Sequence, residues 1–164
     1  MSNQHSFVPA DGFDRDQFTN SQAGERALNA AIVRAEISRS FEEYLEIFDA
    51  FYADDIEVSS DTGEQAIWGK AEVRSVLLNF LVPLHIMAEV GGLSVSIREA
   101  AIPSDAAGET YSAWTLALVG ASGKTVALSW STFRTWRGSQ VVHEHHYDHL
   151  QSGEPLTFDD LRFK

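Results

Sequence analysis

A chain of 164 residues fits one domain with a core of its own. Its net charge of -12 argues against nucleic-acid and anionic-membrane binding, both of which use basic patches. The absence of cysteine excludes disulfides, thiolate metal sites and cysteine nucleophiles.

Residues 1–20 are polar, with Pro9, Gly12 and a cluster of Asp11, Asp14 and Asp16, and are expected as an irregular arm. Phe7, Phe13 and Phe18 would pin it to the body. Residues 1–6 lack the basic and apolar regions of a signal peptide, and no apolar run reaches the roughly 18 residues of a membrane span. The cytoplasm is the expected compartment.

From Ser21 to Ser38 the pattern is helical, with Leu28, Ala31, Ile32 and Ala35 forming one apolar face. Ser40-Phe41-Glu42-Glu43 matches a capping box and starts a second helix carrying Tyr44, Ile47, Phe48 and Phe51. A short strand begins at Ile56-Glu57-Val58, and Asp61-Thr62-Gly63 is a turn. Trp68-Gly69-Lys70 leads into a third helix with Val73, Val76, Leu77 and Phe80 on its buried face. Pro83 predicts a stop or kink at Val82. The second half alternates instead: Leu93, Val95, Ile97; Trp114, Leu116, Leu118; Val126, Leu128, Trp130. Gly/Ser/Asp turns separate these runs, which predicts long antiparallel strands joined by hairpins. Helices followed by a meander give an α+β domain over residues 21–150, with residues 151–164 as a tail.

The last strand concentrates the chemistry. Residues 141–149 hold four of the six histidines. Strand alternation puts Val141, His143, His145 and Tyr147 on one face and Val142, Glu144, His146 and Asp148 on the other. Histidine titrates near neutrality and suits proton transfer, and a tyrosine hydroxyl can stabilise a developing oxyanion. His143 and His145 also form a metal-like pair, but a site needs a third ligand, and no metal is expected. Aromatic walls suit a flat apolar ligand.

Three stretches carry a resemblance. Phe51-Tyr52-Ala53-Asp54-Asp55-Ile56 closes the helix pair; Gly69-Lys70 opens the third helix; Phe133-Arg134-Thr135-Trp136-Arg137-Gly138 runs into the last strand. In element order and in these stretches the chain resembles the nuclear-transport-factor-like superfamily, and within it the SnoaL-like group. That group includes polyketide cyclases, ketosteroid isomerase, limonene epoxide hydrolase and scytalone dehydratase. The resemblance implies a cystatin-like cone, a curved antiparallel sheet wrapped by about three helices. It assigns His143, His145 and Tyr147 to the cavity, with a histidine at position 145 where several relatives have an acid/base aspartate. Tyr44, Phe48, Trp68, His85, Trp114 and Trp130 are the expected ligand contacts. The implied activity is a cofactor-independent isomerase, cyclase or dehydratase acting on a small apolar carbonyl or hydroxyl compound. A homodimer through the sheet's outer face is expected. The rival reading is a non-catalytic ligand-binding or dimeric interaction module.

Overall fold

The computed structural model describes residues 21–162 apart from 39, 103 and 105. The expected N-terminal arm lies outside the described residues. Helix α1 (Ser21–Ser38) and helix α2 (Phe41–Phe51) form the expected pair. Ser40 caps α2, its hydroxyl accepting from the Glu43 amide at 3.2 Å. Tyr44, Ile47, Phe48 and Phe51 are buried on one face of α2, as their spacing predicts. Strand β1 (Tyr52–Ser60) follows without a loop and so begins four residues earlier than expected.

A two-residue edge strand, β2 (Ile67–Trp68), leads through Gly69 into α3 (Lys70–Val90). Gly69 has φ +85°, a conformation that favours glycine, and its amide donates to the Ile56 carbonyl at 2.8 Å. Pro83 does not stop this helix, which continues to Val90. By length and composition α3 is long and apolar enough to cross a membrane, contrary to the sequence reading. In this fold Val73, Leu81, Leu84 and Ala88 are buried. Val76 and Phe80, expected to be buried, are 43% and 56% exposed. The reason is local: both face an open cavity instead of packed side chains.

Strands β3 (Ser94–Ile102), β4 (Glu109–Val119), β5 (Thr125–Arg137) and β6 (Gln140–Gly153) form the meander. The sheet order is β2-β1-β6-β5-β4-β3. The meander is antiparallel, but β1 lies parallel to β6, so the curved sheet is mixed and not purely antiparallel as expected. Helices and inner sheet face enclose a core of Leu28, Ile47, Phe51, Ile56, Trp136 and Val141. Residues 151–160 are anchored: β6 runs to Gly153, and a 3-10 turn (Phe158–Asp160) follows. There the Asp160 carboxylate accepts from Ser122 and Lys124. Those donors and the Thr157 amide hold its carboxyl down at about 2.

One irregularity decides the orientation of the last strand. Trp136 pairs with Val141, but the preceding Thr135 pairs with His143. Val142 is therefore an extra residue, a β-bulge, and a bulge resets strand alternation. Val141 is fully buried in the core, yet His143 turns outward and Glu144 turns inward. A second irregularity lies between Ser129 and Ser131, opposite the stretch holding Asp148, whose φ is +55°.

Candidate active site

The inner face of the sheet and the three helices bound a cavity of about 430 Å3. Its walls are mostly apolar. Tyr44, Phe48 and Ile47 come from α2; Val76, Leu77, Phe80, Leu81 and Leu84 from α3; Trp114, Leu116 and Trp130 from the sheet. Trp114 and Trp130 are cross-strand partners with parallel rings, 6.2 Å between centroids. Among the described residues the buried Trp114 Nε1–H has no hydrogen-bond partner.

The polar part of the lining is Thr132, Arg134, Glu144, His146, Tyr52, Tyr44 and Glu36. Five of these belong to one network. Glu144 accepts from Arg134 Nε at 2.7 Å and from the Tyr52 hydroxyl at 2.6 Å through Oε2. Its Oε1 lies 2.8 Å from His146 Nε2. Burial alone would push the Glu144 carboxyl up, but Arg134 and His146 outweigh it and hold the group far below the usual carboxylate range. Glu144 is therefore ionised and can only accept hydrogen bonds. His146 therefore donates through Nε2, while its Nδ1 lies 3.4 Å from Thr132 Oγ1. A carboxylate bonded to one ring nitrogen orients the imidazole and leaves the other nitrogen for a different partner.

The network continues into α1. Arg134 Nη1 donates to Glu25 Oε1 at 2.8 Å and to Asn29 Oδ1 at 3.0 Å. Glu25 in turn accepts from Thr110 and Ser112, and Trp136 Nε1 donates to Thr110. Burial disfavours the Arg134 charge, but Glu25, Tyr52 and Glu144 more than compensate and hold its pKa above the ordinary arginine value. Tyr52, buried and beside Glu144, is pushed well above its ordinary value and stays a neutral donor.

A separate pair stands at the corner between α1 and α2. The Tyr44 hydroxyl donates to Glu36 Oε2 at 2.6 Å, and both residues line the cavity. Burial and the Glu36 charge raise the Tyr44 pKa far above that of a free phenol. Among the described residues, no group of three or more histidines, aspartates and glutamates stands in metal-holding geometry.

No family model and no curated protein matches the sequence. Solved structures do match the fold. An NTF2-like protein of unknown function from Cytophaga hutchinsonii aligns with TM-score 0.53 at 15% identity, over 79% of this chain and 98% of that one. A protein provisionally assigned as a polyketide cyclase from Xanthomonas campestris gives TM-score 0.53 at 16% identity, over 77% and 91%. One provisionally assigned as a ketosteroid isomerase from Kribbella flavida gives TM-score 0.53 at 14% identity, over 84% and 86%.

The chain has the nuclear-transport-factor-like cone fold. At these identities the likeness is one of fold, and the chemistry must be argued from the side chains.

Within the cone, four of the expected ligand contacts line the cavity: Tyr44, Phe48, Trp114 and Trp130. Trp68 does not; it sits on the short edge strand β2, 65% exposed. His85 is buried under Phe41, with ring centroids 4.1 Å apart, and does not line the cavity. The expected orientation of the last strand is reversed. The Val142 bulge turns His143, His145 and Tyr147 to the sheet's other face and presents Glu144 and His146 to the cavity. On that outer face His143, His145 and Tyr147 stack in sequence, and Ser59 Oγ lies 2.7 Å from His145 Nδ1. Arg134 is buried and pairs across strands with Glu144. Glu25 and Asn29 escaped the sequence reading, although they extend the predicted face of α1 one turn back from Leu28, Ile32 and Ala35.

Proposed function

We propose that this cone is a cofactor-independent acid–base catalyst, an isomerase, cyclase or dehydratase acting on a small apolar carbonyl or hydroxyl compound. One observation carries the reading: an imidazole in the wall of an apolar cavity, bonded at 2.8 Å to a buried carboxylate that Arg134 keeps ionised. His146 Nδ1 takes a proton from the carbon next to the substrate carbonyl, and the electron pair moves onto the carbonyl oxygen as an enolate. Glu144 stabilises the imidazolium that forms and itself stays ionised. Returning the proton at another carbon completes an isomerisation. Protonating a β-hydroxyl, which leaves as water, completes a dehydration. A carbonyl already acidifies such protons, so the scheme requires no organic cofactor.

The test is deuterium exchange of the α-protons of 2-tetralone in D2O, followed by proton NMR. Acceleration by the unaltered protein, about 10²–10⁴-fold lost in His146→Gln and retained in His145→Gln, is the expected result. Equal loss in His145→Gln, or none in His146→Gln, overturns the assignment. No acceleration at all favours the rival module that binds without catalysis.

The same reading includes a cytoplasmic homodimer joined through the sheet's outer face. Its support is a half-buried ladder of Tyr111, Phe133, His143, His145 and Tyr147 on that face. A monomer in sedimentation equilibrium at micromolar concentration would remove this part of the reading and leave the cavity chemistry standing.

A further inference from the structure

The two carboxylates of the cavity wall are held very differently. Glu144 has a guanidinium, a phenol and an imidazole around it. Glu36 has, among the described residues, the Tyr44 hydroxyl as its one hydrogen-bond partner, and no ion pair. Yet the residue is only 6% exposed. It also sits in the last turn of α1, where the helix dipole is negative and the turn contains no basic residue. His85, whose ring lies edge-on to Tyr44 at 6.5 Å, forms no ion pair with Glu36. The Tyr44 hydroxyl donates to Glu36 Oε2 in a short bond of 2.6 Å. Burying a carboxylate without a counter-charge is costly; among the described residues none pairs with Glu36, and the cavity beside it is a place from which one can come.

The walls around that space suit a cation. Tyr44, Phe48, Trp114 and Trp130 present aromatic rings, and ring faces attract ammonium groups most strongly away from water. Along α1 the position is also separate from the Arg134 contact. α1 touches Arg134 through Glu25, and Glu36 comes eleven residues later, about 16 Å further along the helix axis.

We propose that the cavity takes a protonated amine on an apolar or aromatic skeleton, the ammonium pairing with Glu36 while the oxygen function of the same molecule meets His146. This narrows the substrate class of the site proposed above and rests on the reading of the cavity as a ligand site. Glu36 selects the ligand's charge; Tyr44 fixes the carboxylate rotamer and leaves Oε1 for the ligand.

Three probes with one skeleton test it by titration calorimetry at pH 7: 3-phenylpropylamine, 3-phenylpropan-1-ol and 3-phenylpropionate. The amine should bind at least about tenfold more tightly than the alcohol, and the carboxylate most weakly. Glu36→Gln should bring the amine down to the level of the alcohol while alcohol binding stays within about twofold. Tyr44→Phe, which keeps the carboxylate, should retain the preference for the amine. Equal binding of amine and alcohol by the unaltered protein overturns the inference, whether or not the Gln variant folds. So does an amine preference that survives Glu36→Gln. If the alcohol binds and the amine gains nothing, the inference alone falls. If none of the three binds at millimolar concentration, the ligand-site reading falls with it.

Discussion

Replacing Arg134 with methionine removes a cation from between two buried carboxylates. The guanidinium makes three bonds of 2.7, 2.8 and 3.0 Å, to Glu144, Glu25 and Asn29. Glu25 is fully buried and Glu144 is 6% exposed, so neither is well hydrated where it stands. Methionine fills much of the stem volume, which keeps the loss electrostatic and not a packing defect. Breaking one side of a buried ion pair costs about 3–5 kcal/mol, and the same range is expected here for urea unfolding at pH 7. The pH dependence follows from the sign of the Glu144 shift. Its folded-state pKa is depressed, so in the unaltered protein its contribution is complete above the ordinary value of 4.5 and fades as pH falls below it. Without Arg134, burial pushes the same carboxyl upward, and protonation then stabilises the fold as pH falls. The gap between the two proteins should therefore be widest at neutral pH and should narrow as pH falls, first above 4.5 as the raised carboxyl of the variant protonates and then below 4.5 as the unaltered protein loses its contribution. Adding Glu144→Gln to Arg134→Met should recover part of the loss, because the two changes share one interaction. A loss under about 1 kcal/mol at pH 7, or a gap that widens toward acid, would refute the electrostatic account.

Two further substitutions probe the same frame. Tyr52→Phe removes the 2.6 Å hydroxyl donor to Glu144, and hydrogen bonds to buried charges are worth about 1.5–3 kcal/mol. Urea unfolding should show that loss, and a change below about 0.5 kcal/mol would mean that Arg134 and His146 suffice to hold the carboxylate. Deleting Val142 should leave the domain folded, at a cost below about 2 kcal/mol. Removing the bulge leaves Val141, Glu144 and His146 on the inner face by simple alternation. Loss of cooperative unfolding in that deletion would show that the bulge is not what orients the strand.

Much of the fold could be read locally. The i, i+3, i+4 spacing of Tyr44, Ile47, Phe48 and Phe51 is a short-range signal, and so is the Ser40 cap. Of the stop or kink that Pro83 predicts, the stop does not occur, because Pro83 removes one amide donor and crowds one turn, and a helix whose other residues pack can run through that. Val76 and Phe80 read as core because an apolar wall facing a cavity has the same sequence pattern as one facing side chains. The site was harder. Residue alternation along β6 was sound on either side of the bulge, but a single extra residue at Val142 exchanges the faces, and no residue type announces it. The partners that could have decided the matter, Glu25 and Arg134, lie 109 residues apart in the chain. A buried ion pair at that separation is visible only once the helix is laid on the sheet.

The claim that Glu144 and His146 face the ligand is tested most directly by nitrogen NMR of 15N-labelled histidine side chains. Spectra at pH 7 would be recorded alone and with 3-phenylpropan-1-ol. The bulged register predicts that the ligand shifts the His146 Nδ1 signal and leaves those of His143 and His145 unmoved. Shifts confined to His143 and His145 would contradict it and return the catalytic face to the odd-numbered residues.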